Sequence, residues 1–276
     1  MPVGFLRPTA REAYNIFPET VEEGDLIAYF LLTPDDLVEI QYGGTDVQRL
    51  GFALLLCSLR YLGFFPVDIQ NAPTNVVGYL AKQLGSDAAA LSDYGVRPQT
   101  QREHQRHITT YLGFRSMSSD DERHLLTWLS QRALENERPS TLLQQASERL
   151  YQQRVIRPRI TRLERLVVRA RGQAHEITYA HLAADLDDDL RQQLDQLLEP
   201  DPERGNLTPL SWLRRAARSN SADHILETLS KLTAVQGWDI DTWGLADLPP
   251  ARTQYLVGIA RRSSNQALQR KIGQQR

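Results

Sequence analysis

The sequence contains a single cysteine, Cys57, among its 276 residues. One cysteine excludes both a disulfide framework and a zinc site built from cysteines, and such usage is typical of a reducing compartment. Long apolar runs are also missing, because no stretch approaches the ~18 apolar residues that indicate a membrane span. The first residues lack the apolar core of a signal peptide. We therefore expect a cytoplasmic protein without a membrane segment.

Lysine is scarce too, since Lys82, Lys231 and Lys271 are the only lysines among 32 basic residues. Arginine is the side chain suited to bidentate contacts with phosphate and guanine. The net charge of −2 and the pI of about 6.3 give no sign of a nucleic-acid partner. The charge is uneven, however: residues 149–171 carry eight arginines and one acid, and they lie between acidic flanks. The basic middle indicates an anionic partner.

Motifs for catalysis or metal binding are missing as well. The sequence has no glycine-rich phosphate loop, no Gly-x-Ser-x-Gly elbow and no His-Glu-x-x-His motif. His104 and His107 have a spacing that can share a metal, but no third ligand of suitable type lies nearby. The acids at 187–189 are explained by the first turn of a helix. The sequence predicts neither a catalytic nor a metal site in this chain.

Apolar periodicity and capping residues predict an all-α fold, and no alternating run indicates a strand. The most apolar segment, Asp46 to Leu62, predicts a central buried helix that ends at Gly63. We divide the chain into an N-terminal arm with a short helix, a first helical module, a second helical module and a further helical segment that we expect to be incomplete at its C-terminus. Their bounds are 1–32, 33–115, 118–184 and 185–276.

Two predicted helices carry a basic front. The first begins near Pro98; its N-terminal half is basic, and Ile108 and Tyr111 anchor its C-terminal half against the central helix. The second follows a predicted capping box, Thr161 with Glu164, and a similar box is predicted for Ser119 with Glu122. In this second helix an apolar stripe faces inward, and arginines lie on the other side. An ordinary helix with a solvated basic face is the alternative for each.

Several segments carry a resemblance to a known family. They are Leu32-Thr-Pro-Asp-Asp, the run from Arg49 to Gly63, Arg102-Glu-His, Tyr111-Leu-Gly-Phe-Arg115, Arg159-Ile-Thr-Arg-Leu-Glu-Arg165 and the stretch from Leu248-Pro-Pro to Arg262. In this order they resemble the N-terminal region of transposases of the Tn-three family, the replicative class II transposons. The match covers most of the chain.

This resemblance implies function. It implies tandem helix-turn-helix-like modules that bind the terminal inverted repeats of a transposon as double-stranded DNA. It also implies that the acidic triad and its divalent metal lie downstream, outside this chain, so the chain itself is expected to be no enzyme and to need no cofactor. Self-association in a synaptic complex and association with the nucleoid are further expectations.

The predicted DNA-binding residues form two groups. The helix-turn-helix reading places the N-terminal turns of both basic helices in a major groove, with flanking cations on phosphate. The predicted base or phosphate contacts are Arg102, Gln105, Arg106, Arg159, Arg162 and Arg165. The predicted contacts to the DNA backbone are Arg97, Arg115, Arg154 and Arg157. The alternative is a helical protein-interaction or oligomerisation module, which acidic residues interspersed on the basic face would favour.

Overall fold

The structure is a computed structural model that describes residues 5–41, 44–95, 98–135, 138–184, 186–216, 221–237, 248–265 and 267–268. Within these ranges it contains helices and two isolated bridges but no strand, which confirms the all-α prediction. The α-helices are α1 (Pro8–Ala13), α2 (Glu23–Phe30), α3 (Pro34–Gln41), α4 (Asp46–Leu62), α5 (Thr74–Leu84), α6 (Pro98–Tyr111), α7 (Ser119–Glu135), α8 (Pro139–Gln152), α9 (Ile160–Ala184), α10 (Asp188–Gln196), α11 (Pro209–Arg214), α12 (Ala222–Gln236) and α13 (Pro250–Arg262). Short 3-10 helices occupy Ala88–Asp93 and Pro202–Arg204. None of the helices in the described ranges is long and apolar enough to cross a membrane.

The chain divides into two compact units. The first unit contains residues 1–130 and 138–170, and the second contains 131–137 and 171–276. The boundary predicted between the two helical modules, at 115–118, therefore lies inside the first unit. Separate folding of the modules 33–115 and 118–184 stays a prediction.

Helix α4 is the centre of the first unit, as the sequence predicted. The Thr45 hydroxyl and the Gln48 side chain form a reciprocal capping box at its start, and Gly63 ends it with a φ of 72°. Every residue from 50 to 59 is buried. Burial raises the pKa of the Cys57 thiol to about 12, which keeps this core cysteine protonated and unreactive.

Arg60, a charged residue on this apolar helix, binds Asp36 of α3. The Arg60 Nη1 atom lies 2.8 Å from Asp36 Oδ2, and the Tyr111 hydroxyl donates to Asp36 Oδ1 at 2.9 Å. Burial alone would raise the pKa of Asp36, but hydrogen bonds from Arg60 and the Thr33 N–H outweigh it and lower the pKa. One buried carboxylate therefore ties α3, α4 and α6 together.

Two predicted capping boxes are wrong in detail. At α7 the pair is Ser118 and Asp121: the Asp121 N–H donates to Ser118 Oγ at 3.1 Å, and the Ser118 N–H donates to Asp121 Oδ2 at 2.8 Å. The box is displaced by one residue because the preceding serine, Ser118, is also a good cap. Helix α9 starts one residue before Thr161, and Glu164 accepts bonds from Leu6 and Arg11 of the N-terminal arm.

The connection between α8 and α9 pairs with the loop that follows α6. The Arg115 N–H donates to the Arg154 carbonyl at 2.9 Å, and the Ile156 N–H donates back to the Arg115 carbonyl at 2.9 Å. The Arg157 N–H donates to the Gly63 carbonyl at 2.8 Å. These backbone bonds fix the entry to α9 beside the exit of α4, so elements of both predicted modules share one framework.

The second unit is held around a buried arginine of α13. The Arg252 side chain is 1% exposed and donates to the Ala133 carbonyl at 3.1 Å. Its guanidinium also lies 3.1 Å from His175 Nδ1. The bonds join three segments of this unit that are distant in sequence.

Candidate nucleic-acid interface

The C-terminal half of α6 is anchored as predicted. Ile108 is fully buried in the core of the first unit, and the His104 ring lies 2.8 Å from the Tyr94 hydroxyl and edge-on to Phe52. Burial lowers the pKa of His104, so this imidazole is neutral near pH 7 and suits an apolar contact. The His107 ring pairs with Glu39 of α3. In the described part of the chain, no cluster of three or more potential metal ligands occurs.

The N-terminal half of α6 borders an open groove of about 510 Å³. The opposite border is the segment that leads into α9, and the exit of α4 forms the remaining wall. The lining residues are Asn15, Phe64, Phe65, Pro66, Val67, Pro98, Gln101, Arg102, Gln105, Ile156, Arg157, Pro158 and Arg159. This set contains three arginines and three side-chain amides but no acid. We call it the arginine groove.

The arginine groove brings together residues that the sequence assigned to different modules. Arg102 and Gln105 come from α6, whereas Arg157 and Arg159 precede α9. Arg102 and Arg159 are exposed, and neither side chain has a hydrogen bond or ion pair with the residues that the structure describes. Exposed guanidinium groups without a described protein partner can bind an anion without first breaking an ion pair.

Arg106 lies outside this groove. It borders a second cavity of about 480 Å³, which also contains Glu39 and Glu103. Acids next to this arginine reduce the local positive potential, whereas the side of α6 that lines the arginine groove has one arginine, two glutamines and no acid. Arg97 lies outside the described residues.

The arginines of α9 fall into two kinds. Arg162 Nε lies 3.0 Å from Glu122 Oε2, and Arg169 Nη1 lies 3.8 Å from Glu122 Oε1. Arg165 is exposed and has no side-chain partner in the described ranges. Only part of the predicted arginine stripe is therefore available without breaking an ion pair.

Arg115 and Arg154, two of the residues predicted to contact the DNA backbone, already have contacts within the protein. Arg115 is bound by Asp121, and hydrogen bonds from Arg115 and Ser118 lower the pKa of that carboxyl. The Arg154 guanidinium carbon lies 5.2 Å from the centre of the Phe114 ring. Arg154 has a φ of 55°, a left-handed conformation that closes the last turn of α8.

Arg157 differs from the prediction in its exposure. We expected an exposed cation that holds the DNA backbone, but the residue is 8% exposed. Its guanidinium carbon lies 3.9 Å from the centre of the Phe64 ring, and Nη2 donates to the Tyr14 carbonyl. Burial lowers the pKa of Arg157 to about 10. The side chain is thus a fixed part of the groove wall.

Two polar residues that line the groove, Asn15 and Gln101, were not among the residues predicted from the sequence. Asn15 Oδ1 also accepts the Ile160 N–H at 3.3 Å. Asn15 follows α1, far from α9 in sequence, so no local pattern could have indicated its place. Gln101 could have been found from its position one residue before Arg102.

The chain is similar to known proteins along most of its length. A family model described as a domain of unknown function, DUF4158, matches residues 5–170. The chain is 34% identical over 244 residues to the transposase for transposon Tn501 of Pseudomonas aeruginosa, an alignment that covers 88% of this chain and 24% of the relative. It is 29% identical over 258 residues to the transposase for transposon Tn1546 of Enterococcus faecium, with 93% and 26% covered.

A third relative is the transposase for transposon gamma-delta of Escherichia coli K12, 29% identical over 263 residues, with 94% of this chain and 26% of the relative covered. The chain thus spans about a quarter of the length of these curated relatives. The matched family region, 5–170, covers nearly all of the first compact unit, together with residues 131–137 of the second, and includes the arginine groove. The chain therefore belongs to the DUF4158 family and corresponds to the N-terminal region of a transposase of the Tn-three family.

Proposed function

We propose that this chain binds double-stranded DNA at the terminal inverted repeats of a transposon, as the recognition part of a transposase. The observation that carries the proposal is the arginine groove, which gathers Arg102, Gln105 and Arg159 without an acid among its lining residues. Acids do pair with other arginines of the two basic segments, Asp121 with Arg115 and Glu122 with Arg162, so the proposal rests on the groove and not on the whole basic surface. A basic surface of this kind is the electrostatic feature that DNA phosphates require.

Each group has a chemical role in this proposal. Arg102 and Arg159 neutralise phosphates, and the Gln105 amide has the donor and acceptor pair that can bind the N6 and N7 edge of adenine. Arg165 adds a further exposed cation on α9. The proposal assigns no base contact to Arg162, whose guanidinium is already held by Glu122.

The proposal gives this chain no catalytic step. We infer that strand cleavage and joining belong to the remainder of a full-length transposase, together with the acidic triad and the divalent metal that the family resemblance implies. Association with the nucleoid follows from DNA binding and is part of the same proposal.

Salt-dependent binding tests the proposal. Fluorescence anisotropy would compare a labelled duplex that carries the transposon's terminal repeat with a scrambled duplex of the same composition. With about six to ten phosphate contacts, affinity is expected to fall about 10³- to 10⁵-fold between 50 and 200 mM salt. The repeat should be preferred at every salt concentration. Equal affinity for both duplexes would contradict sequence-specific recognition, and no salt dependence would contradict DNA binding.

A second function, self-association, is favoured by α12. Ile225, Leu226, Leu229 and Leu232 lie on one face of this helix, and each is more than half exposed. Apolar side chains grouped in this way are typical of protein contact surfaces. We propose that a second copy of the chain covers this face, which would suit the pairing of two transposon ends. Sedimentation velocity of the wild type and of L226D/L229D tests this, and a monomeric wild type at all concentrations would contradict it.

A further inference from the structure

Arg157 is a buried cation without a counter-ion. Its Nη1 atom is buried and has no hydrogen-bond partner, and no described carboxylate pairs with its guanidinium. Its contacts are neutral: the Tyr14 carbonyl accepts from Nη2, and the Phe64 ring stacks beneath the guanidinium carbon at 3.9 Å. The positive charge is therefore solvated poorly and left uncompensated.

Arg60 of the same unit shows the usual solution to this problem. Its side chain is 22% exposed, and Asp36 neutralises it through two hydrogen bonds. Arg157 is more deeply buried and has no such acid. A buried ion that lacks a partner destabilises a fold, so a structure that retains one gains free energy when a counter-ion binds.

The position of Arg157 indicates where that counter-ion would bind. Arg157 lines the arginine groove together with two exposed arginines, Arg102 of α6 and Arg159 of its own segment. We propose that this groove binds one phosphate group. The exposed side chains of Arg102 and Arg159 contact the phosphate, and the buried Arg157 attracts it as a fixed positive charge in the groove wall. This inference rests on the proposed function, because the phosphate is then a phosphodiester of the bound DNA.

The lining favours a phosphate over other anions. Guanidinium groups match the oxygen geometry of phosphate in bidentate contacts, and three arginines line this groove. The amides of Asn15, Gln101 and Gln105 add neutral donors to the same groove. A volume of about 510 Å³ is in the range of small-ligand sites, so a phosphate with its flanking sugars can enter.

Free phosphate provides a test that needs no DNA. We would measure the Tm of the whole chain in sodium phosphate and in sodium chloride of equal ionic strength, for the wild type, R102Q/R159Q and R123Q. Phosphate stabilises most folded proteins non-specifically, so the informative quantity is the difference in the Tm increase between variants. Arg123 is an exposed arginine of α7 that pairs with Asp120 and does not border the groove, which makes R123Q the matched control.

The increase in Tm from chloride to phosphate is expected to be larger by about 2 °C or more for the wild type and R123Q than for R102Q/R159Q. The two substituted residues are exposed and have no described partners, so the double variant should fold normally. An equal gain in all three proteins would overturn the phosphate site. The variant R157M removes the fixed charge and should lose the gain as well; a gain that persists in R157M would overturn the role of Arg157.

DNA binding provides the second arm and separates the two proposals. Loss of one phosphate contact lowers the slope of log K against log salt by about one, and this is expected for R157M but not for R123Q. Repeat binding by the wild type with an unchanged slope in R157M would overturn the site and leave the proposed function standing. An arginine-dependent Tm gain in a protein that binds no DNA would support the site for free phosphate and contradict the proposed function. If R157M does not fold, the slope of R102Q/R159Q decides, with a loss of about one expected, because both variants disrupt the same single phosphate contact.

Discussion

At the scale of single residues, two arginines have a structural role because each pairs with a buried carboxylate. Asp36 is fully buried and holds Arg60, and Glu164 holds Arg11 with an Nε to Oε2 distance of 2.7 Å. Breaking a buried pair of this kind costs more than breaking a surface pair, because the remaining charge is left without a partner. These carboxylates therefore maintain the fold on which the arginine groove depends.

The substitution Asp36→Asn is expected to lower the free energy of unfolding by about 3 kcal/mol. The pKa of Asp36 is lowered in the folded state, so its stabilisation is present above the ordinary pKa and is lost as pH falls through the folded value. Urea unfolding should show constant stability above about pH 5 and a decline below about pH 4. The decline should be smaller in D36N. Glu164 and Asp121 contribute to the part that remains, because hydrogen bonds from Arg11 and Leu6 lower the pKa of Glu164 against the effect of burial and hydrogen bonds from Arg115 and Ser118 lower that of Asp121.

Asp46→Asn is the matched control, because Asp46 pairs with Arg49 on the exposed surface of α4. We expect a cost of at most about 1 kcal/mol for it. An equal loss in D46N and D36N would contradict the assignment of Asp36 as a buried structural charge.

The arginines of α9 allow a prediction about DNA affinity. Arg165 is exposed without a described partner, whereas Arg162 is held by Glu122. Replacement of Arg165 with alanine is expected to weaken binding to the terminal repeat about tenfold. Replacement of Arg162 should have a smaller effect, because part of its charge is already neutralised. Anisotropy titrations of the two variants check this order, and the reverse order would show that the Glu122 pair opens on DNA.

At the scale of elements, α6 depends on a close approach between α4 and the segment before α6. A Cβ atom on Gly51 would overlap the ring of Tyr94, and the Tyr94 hydroxyl lies 2.8 Å from His104 Nδ1 on α6. Because Gly51 has no side chain, Tyr94 can pack against α4 and, through its bond to His104, position α6. Packing against a rigid buried ring leaves little room for relaxation.

The variant Gly51→Ala should be destabilised by about 1–3 kcal/mol, although alanine is the better helix former. It should also shift the amide resonances of α6 in NMR spectra, because Tyr94 must move. Gly78→Ala in α5 is the control: a Cβ there meets nothing within 4 Å, so a gain of about 0.4–1 kcal/mol is expected. A G51A protein as stable as G78A would contradict the close approach.

The helices and their ends are the features that the sequence predicts most accurately. The bounds of α4 agree with the predicted segment, and Gly63 ends the helix in the left-handed conformation. These features depend on neighbours within one or two turns, which the sequence contains. The capping boxes predicted for Ser119 with Glu122 and for Thr161 with Glu164 are wrong, since several residues near each helix start can serve as caps and tertiary contacts select among them.

At the scale of the whole molecule, the family match and the first compact unit cover nearly the same residues. Every residue of the arginine groove belongs to this unit. We therefore predict that residues 1–184, which end with α9, fold cooperatively and bind the terminal repeat within about threefold of the whole chain. Circular dichroism melting and anisotropy test this together.

A larger loss of affinity in residues 1–184 would show that the second unit takes part in recognition. Failure to fold would show that contacts such as the Arg252 bond to the Ala133 carbonyl, which this truncation removes, are needed to complete α7. Either result would contradict a self-sufficient first unit.

The sequence alone determined the helical class, the buried central helix and the division of α6 into a polar front and an anchored rear. Periodicity and capping are local, so each of these follows from residues close together in the chain. Only the tertiary structure decided which arginines remain available. In the structure Arg102 and Arg159 line one groove, Arg115 and Arg162 form ion pairs with acids, and Arg157 is buried without a counter-ion. Charge neutralisation depends on which distant segments meet, and no local pattern encodes that.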